Sequence, residues 1–380
     1  MSGTLDFLSP IHGGQLRQIA ARYGIRANSL LDFSANINPA GPPRSAIAAI
    51  RRAVEDPATL GVYPDLELVE LKKTIARRVG VQAENIAVAN GFVPLLEVAL
   101  RSLKIQKCLL PVPSFGEYRR SLENAGTVVS PFRLSSEDEF RYESAPILNT
   151  LLEQQCDAIL LANPQNPSGV LCAVGEMRQL IESAAQHGIT VLLDEAFVDY
   201  CPFDSATRLA IEQPKVIVFR SVTKFFAMPG LRIAYAVSNP SLVCAMNRFV
   251  APWPVTNFAS DAVCAALQDE GYAEESRIAN ERRRLWLEQE LVRLRIVTYP
   301  SSTNFLLLRF CDKVDVDLVW GKMILEEGIV LRSCANFEGL AARHLRVAVR
   351  SEPENERLIR GLERVLSGLG RRDYYHLIKY

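Results

Sequence analysis

Lys224 is preceded three residues earlier by Ser221 and followed eight residues later by Arg232, with Thr223 beside it. A lysine amine that is partly shielded from water becomes a nucleophile able to form a Schiff base with an aldehyde. A hydroxyl and a guanidinium on the same stretch suit an anion such as phosphate. The same spacing also fits a strand end that carries a solvated lysine and a surface arginine. The elements around the stretch must decide.

Two apolar runs bracket it, Val216–Phe219 and Ile233–Val237, and both read as strands. Similar short runs occur at Ile86–Ala89, Lys107–Leu110, Val128–Val129, Asp157–Ala162 and Ile189–Leu193, and the strand after Lys224 is read from Arg232. Runs this continuous in apolar residues belong to strands covered on both faces, and the helical lengths between them suit right-handed crossovers. The prediction is an α/β fold with a large, mostly parallel seven-stranded sheet. Ahead of the sheet, helices are predicted after Pro42-Pro43, through Ile47, Ile50 and Val54, and after Tyr63-Pro64-Asp65, from Leu66 to Val79.

Beyond Pro254 come two helical stretches, and then strands at Ile296–Thr298, Phe305–Leu308, Ile329–Leu331 and Leu345–Val349 with helices near 316–326 and 354–369. This pattern suggests a small α+β domain. The division expected is an N-terminal arm at 1–40, a large domain at 41–270 and a small domain at 271–380. No internal repeat or low-complexity segment is present.

In open α/β sheets, ligands collect beyond the carboxyl ends of the strands. Asn90-Gly91-Phe92 lies at such an end, where backbone N–H groups could cradle a phosphate or simply turn the chain into a helix. Asn163-Pro164-Gln165-Asn166-Pro167-Ser168-Gly169 is a stiff turn. Asp194-Glu195 closes another apolar run, where a carboxylate must be paired or solvated, or cap a helix. His12 reads as a ligand contact or a loop hydrogen-bonding group, and Tyr63 as a turn residue packing its ring.

Lys plus Arg and Asp plus Glu are both 43 in 380 residues, so no polyanion-binding surface is indicated and a small-molecule ligand is expected, without nucleic acid. The eight cysteines are scattered, without a Cys-x-x-Cys pair, and read as reduced core residues rather than metal ligands. Met1–Pro10 lacks the pattern of a secretory signal and no apolar run reaches membrane-span length, so a cytoplasmic protein is expected. Arg371–His376 reads as a frayed polar tail.

Taken together, Asn166-Pro167-Ser168-Gly169, Asp194-Glu195-Ala196-Phe197 and Ser221-x-Thr223-Lys224 with Arg232 resemble the core of the fold-type I pyridoxal-phosphate enzymes, in the class I/II aminotransferase group. His12-Gly13-Gly14, Asp32–Pro39, Pro113–Tyr118 and Leu345–Arg350 are similar to the branch holding the threonine-phosphate decarboxylases and the histidinol-phosphate aminotransferases. The resemblance implies a pyridoxal 5'-phosphate cofactor whose aldehyde condenses with Lys224. It implies that Asp194 faces the pyridine nitrogen, Asn166 the phenolic oxygen and Phe115 the ring face. Ser221, Thr223, Arg232 and the backbone of Gly91-Phe92 would hold the cofactor phosphate, and Tyr63 would reach it from the second subunit of a homodimer.

For the substrate, the resemblance implies that Arg346 clamps a carboxylate, with Arg350, Asn36, His12 and Asn304 nearby. Arg350 could instead be a solvated edge residue, and both asparagines could cap turns. Two departures from the family pattern stand out. Phe197 replaces a tyrosine common in the aminotransferases, and Phe92-Val93-Pro94 replaces small and hydroxyl residues followed by an acid. The reaction expected is decarboxylation of L-threonine O-3-phosphate to (R)-1-aminopropan-2-yl phosphate and CO2, a step of cobalamin biosynthesis; the alternative is transamination of histidinol phosphate in histidine biosynthesis. A non-catalytic sensor is the third reading, opposed by the shortness of the chain before residue 30 and the lack of a basic stretch to read DNA.

Overall fold

The computed structural model describes residues 12–340 and 342–369, so Met1–Pro10 and Arg371–His376 lie outside the described residues. After a two-residue strand, β1 (Leu31–Asp32), seven strands make one sheet: β2 (Ile86–Ala89), β3 (Lys107–Val112), β4 (Val128–Arg133), β5 (Ala158–Ala162), β6 (Thr190–Asp194), β7 (Val216–Ser221) and β8 (Ala234–Val237). Their order is β2-β8-β7-β6-β5-β3-β4. Every pairing is parallel except those of β8, which runs antiparallel to both neighbours. The expected large, mostly parallel sheet is met.

Alternation along these strands explains both the core and the site. Val191 and Leu193 enter one apolar cluster while Leu192 enters the opposite one, and Val216 and Val218 part from Ile217 and Phe219 in the same way. Burying each such side chain is worth about 1.5–3 kcal/mol. Since side chains alternate along a strand, Asp194 shares its face with Leu192, and Ser221 shares its face with Phe219. Both polar residues therefore close the carboxyl ends of their strands on one side of the sheet.

The smaller sheet contains β9 (Val297–Thr298) and β10 (Phe305–Arg309); β11 (Ile329–Val330) turns aside to pair with β1, and β12 (Arg332–Ser333) and β13 (His344–Ala348) rejoin it. Its order is β12-β13-β10-β9, antiparallel throughout. Leu306, Leu308, Leu345 and Val347 pack with Trp320 of helix Val316–Leu325, Leu362 of helix Glu352–Gly368 and Leu287 of helix Glu270–Arg293. The other face carries Arg346, in register with Leu307 on one side and Arg332 on the other. That face looks onto the large sheet.

Several boundaries differ from the sequence reading. The segment predicted as an irregular arm contains a helix, Leu16–Tyr23, whose Ile19 and Ala20 join the smaller core. Two buried positions in eight residues are too few for periodicity to reveal. The helix expected from Leu66 starts at Val69, because Asp65 accepts from the backbone of Glu67 and Val69 and Leu68 turns left-handed at φ 53°. The strand expected from Arg232 starts at Ala234; Arg232 itself lies in the left-handed region, at φ 55°. The strand expected over Ile329–Leu331 ends at Val330, and the smaller sheet is rejoined from Arg332. Among the cysteines, Cys244 is exposed. Among the described residues no helix is long and apolar enough to cross a membrane.

Behind the carboxyl end of β6 lies a buried ion pair. Arg220 Nη2 donates to Asp199 Oδ1 at 2.7 Å, with both side chains almost wholly enclosed. Removing one partner of such a pair strands the other charge, at a cost of about 3–5 kcal/mol. Arg220→Ala is therefore expected to lower the urea midpoint of the cofactor-free protein strongly, and Asp199→Asn less so. An unchanged midpoint for Arg220→Ala would count against a structural role for the pair.

Candidate active site

The carboxyl ends of β5, β6 and β7 and the polar face of the smaller sheet enclose a cavity of about 260 Å³. Lys224 stands half-buried in its lining, on the loop that follows β7, and its carbonyl accepts from the backbone of Asn38 at 3.1 Å. Burial first, then the charges of Arg346 and Arg232, lower its ammonium to about 8, while Asp32 and Asp194 pull the other way. A lysine in this state is partly neutral at mild pH and so nucleophilic. In the cofactor-free protein, addition of an aldehyde at Lys224 should therefore rise through a midpoint near pH 8. Borohydride trapping with peptide mass spectrometry, from roughly pH 6 to 10, reads it; a midpoint at the ordinary lysine value of about 10.4 would refute this.

Asp194 is buried at the next strand end. Its Oδ2 accepts from the Tyr118 hydroxyl at 2.5 Å and its Oδ1 from the backbone N–H of Ala196 at 2.9 Å. Burial pushes the carboxyl up to about 6, against the pull of Tyr118, of the Ala196 N–H and of Lys224. A buried carboxylate this unfavourable gains from a cation placed in the cavity beside it.

An anion cradle lies on the other side of Lys224. Ser221 Oγ donates to Thr223 Oγ1 at 2.8 Å, and both residues line the cavity with Arg232. Helix Phe92–Leu103 opens toward it, so its first N–H groups, on the lining residues Phe92 and Val93, have no partner within the helix. Gly91 caps this helix at φ 97°, and a Cβ there would lie 2.6 Å from Arg232 Nη2. Only glycine lets the guanidinium come so close to the turn. Because Pro94 has no N–H, the cradle depends on two backbone donors, two hydroxyls and one guanidinium.

The facing wall comes from the smaller sheet. Arg346 Nη1 donates to Asn166 Oδ1 at 2.5 Å and Nη2 to the Ser34 carbonyl at 3.4 Å, with its guanidinium 5.0 Å from the Phe305 ring. Burial, with the like charge of Arg332 adding to it and Cys334 opposing, lowers Arg346 to about 10. Arg346 Nε and Asn36 Oδ1 are buried without a protein partner. His12 Nε2 pairs with Glu117 at 3.0 Å, and its ring lies 6.0 Å from Phe115.

Eleven of the residues singled out in the sequence thus come together around one cavity: His12, Asn36, Phe92 and Phe115; Asn166, Asp194 and Ser221; Thr223, Lys224, Arg232 and Arg346. Four do not line it. Gly91 acts one bond away, as the cap. Asn304 is fully buried behind the lining, its side-chain oxygen and nitrogen without protein partners. Arg350 faces elsewhere: it pairs with Glu354 at 2.6 Å and donates to the Asp32 carbonyl at 3.0 Å, tying β1 to helix Glu352–Gly368. Tyr63 is 78% exposed and stacks on Trp253 at 4.7 Å.

Sequence reasoning gave no role to Tyr118, Ser34 or Arg332, all of which line the cavity. Arg332 donates to the Ser333 carbonyl at 2.6 Å and to Asn336 Oδ1 at 2.8 Å, and lies 5.1 Å from the Phe337 ring. A charge ending the apolar run Ile329–Leu331 was its only signal.

A lysine, a carboxylate and an anion cradle at the strand ends of a mostly parallel sheet, closed by an α+β layer, define a fold-type I pyridoxal-phosphate enzyme. The chain belongs to the class I and II aminotransferase family, whose model matches residues 28–362. It is similar to threonine-phosphate decarboxylase of Salmonella typhimurium (strain LT2), at 35% identity over 367 residues, 95% of this chain and 98% of that one. It is also similar to histidinol-phosphate aminotransferase of Anaeromyxobacter sp. (strain Fw109-5), at 28% identity over 361 residues, 94% of this chain and 96% of that one. Among solved structures, histidinol-phosphate aminotransferase from Clostridium acetobutylicum superposes with a TM-score of 0.83 at 30% identity, covering 90% of this chain and all of the other.

The family's cofactor is pyridoxal 5'-phosphate, and the residues present fit it. Asp194 lacks only the cation that a protonated ring nitrogen provides, the Gly91–Arg232 cradle suits a phosphate, and Lys224 is nucleophilic between them. When bound, the cofactor supplies an electron sink that allows a bond at the substrate Cα to break. Lys224 would hold and move the proton at that carbon. Asp194 would keep the ring nitrogen protonated, and Phe115 would wall the ring.

Proposed function

We propose that this enzyme decarboxylates L-threonine O-3-phosphate, releasing CO2 and (R)-1-aminopropan-2-yl phosphate, a step of cobalamin biosynthesis. The observation that carries the reading is the pair Arg332 and Arg346, cross-strand neighbours on the cavity wall opposite the cofactor cradle. With His12 at the rim, this wall suits a substrate bearing two anionic groups. Phosphothreonine has a carboxylate and a phosphate, whereas histidinol phosphate has one anion. The greater identity to the Salmonella decarboxylase than to the Anaeromyxobacter aminotransferase, 35% against 28%, supports the same choice.

With the cofactor bound, orientation of the substrate would decide which bond at its Cα is broken, so the group that grips the carboxylate would select the chemistry. Arg346 is suited to that grip, because its planar guanidinium can bind a carboxylate through two N–H groups. Phe197 fits the choice too. It packs edge-on to Phe305, 4.9 Å away, and offers no hydroxyl to the Lys224 side of the cavity. We further propose a cytoplasmic homodimer with Tyr63 reaching the partner's phosphate cradle, which its exposure beside Trp253 supports.

Purified holoenzyme should release CO2 from phosphothreonine and form little glutamate from histidinol phosphate and 2-oxoglutarate. Glutamate formation without CO2 release would instead assign the enzyme to transamination.

A further inference from the structure

Tyr118 lies on helix Gly116–Asn124, outside every strand end that builds the cavity, yet it reaches the centre of the site. It is 1% exposed. Its ring meets Phe115 edge-on at 5.5 Å and Phe92 at 5.7 Å, so it wedges between the aromatic wall and the residue that begins the phosphate cradle. Its hydroxyl makes the 2.5 Å bond to Asp194 Oδ2. With Ala196 on Oδ1, each carboxylate oxygen already holds one donor, and each has about one acceptor position left.

We infer that Tyr118 is a positioning residue: its hydroxyl fixes the rotamer of Asp194 and holds that carboxylate in its ionised form, ready for the cofactor ring nitrogen. The inference rests on the family's cofactor and not on which substrate is used.

The physical argument concerns which charge state survives burial. Asp194 is enclosed, and burial favours the neutral acid, which would itself carry a proton and could not accept one from the ring. A hydroxyl hydrogen bond to the charged form opposes this, and charge-assisted O–H···O⁻ bonds are short and strong. The other titratable groups around Asp194 are Lys224 across the cavity and Tyr142, whose hydroxyl donates to the Ala162 carbonyl at 3.0 Å. Burial and the nearby Asp194 charge both push the Tyr118 phenol well up, so it remains a donor throughout the working pH range.

Tyr118→Phe keeps the ring and its edge contacts and removes only the hydroxyl. The cofactor-free variant is titrated with pyridoxal 5'-phosphate, the dissociation constant being read from visible absorbance at a series of pH values. The expected result is affinity weakened about tenfold at neutral pH, with its acid-side midpoint moved up by about one pH unit. In an Asp194→Asn background, the same substitution should cause no further loss. Fluorinating the Tyr118 ring, which makes the phenol a stronger donor, should move the midpoint the other way. An affinity profile for Tyr118→Phe that overlays the parent, or an equal loss in the Asp194→Asn background, would overturn the inference.

Discussion

Lys224→Ala is expected to reduce turnover by at least about 10⁴-fold, the upper range for loss of a positioned proton-transfer group, with loss of the nucleophile added to it. Rapid-quench measurement of CO2 release reads the rate, and the visible spectrum reads whether cofactor is still attached. The variant should retain the fold. A lysine depressed to about 8 in the folded protein binds fewer protons than in the unfolded chain between there and its ordinary value of 10.5, so the parent's stability rises with pH across that window. At neutral pH the shielded ammonium is a cost, and Lys224→Ala relieves it. A cofactor-free variant less stable than its parent at neutral pH would show that Lys224 is held by interactions other than those described.

Arg346→Ala is the second large effect. The substitution leaves Asn166 Oδ1 without its donor and removes one of the two guanidinium groups of the facing wall. Truncating a buried, hydrogen-bonded charge costs about 2–5 kcal/mol, so kcat/KM for phosphothreonine should fall by about 10²-fold or more. The division of that loss is informative. A grip that only binds would raise KM and leave kcat unchanged. A grip that orients the carboxylate would lower kcat as well and admit proton abstraction in place of CO2 loss, so the ratio of CO2 to transamination product should fall. Arg346→Lys, which keeps charge but not the planar pair of donors, should lie between. A kcat and product ratio unchanged in Arg346→Ala would place the orienting group elsewhere, with Arg332 the first residue to examine.

The cofactor half of the site was legible because its residues occupy consecutive strand ends. Asp194, Ser221 and Lys224 each follow a run of apolar residues, and in a parallel sheet the ends of neighbouring strands converge by construction. Gly91 and Arg232 could be paired with that site from order and resemblance. Their contact could not be foreseen, since it depends on a left-handed turn at Arg232 where a continuing strand was expected.

The substrate half was harder to read. Arg346, in the middle of β13, and Arg350, two residues beyond it, look equivalent in sequence, yet one enters the cavity and the other is tied to Glu354. Arg332 is brought beside Arg346 by pairing across strands, and Tyr118 reaches Asp194 across a distance of 76 residues. By itself, the amino-acid sequence determined the layered α/β architecture and which lysine, carboxylate and hydroxyl stand at the strand ends, because periodicity and strand-end position are local properties of a chain. Only the tertiary structure decided which arginine enters the cavity and which hydroxyl meets the buried carboxylate, because those are contacts between elements whose separation along the chain carries no information about their distance in space.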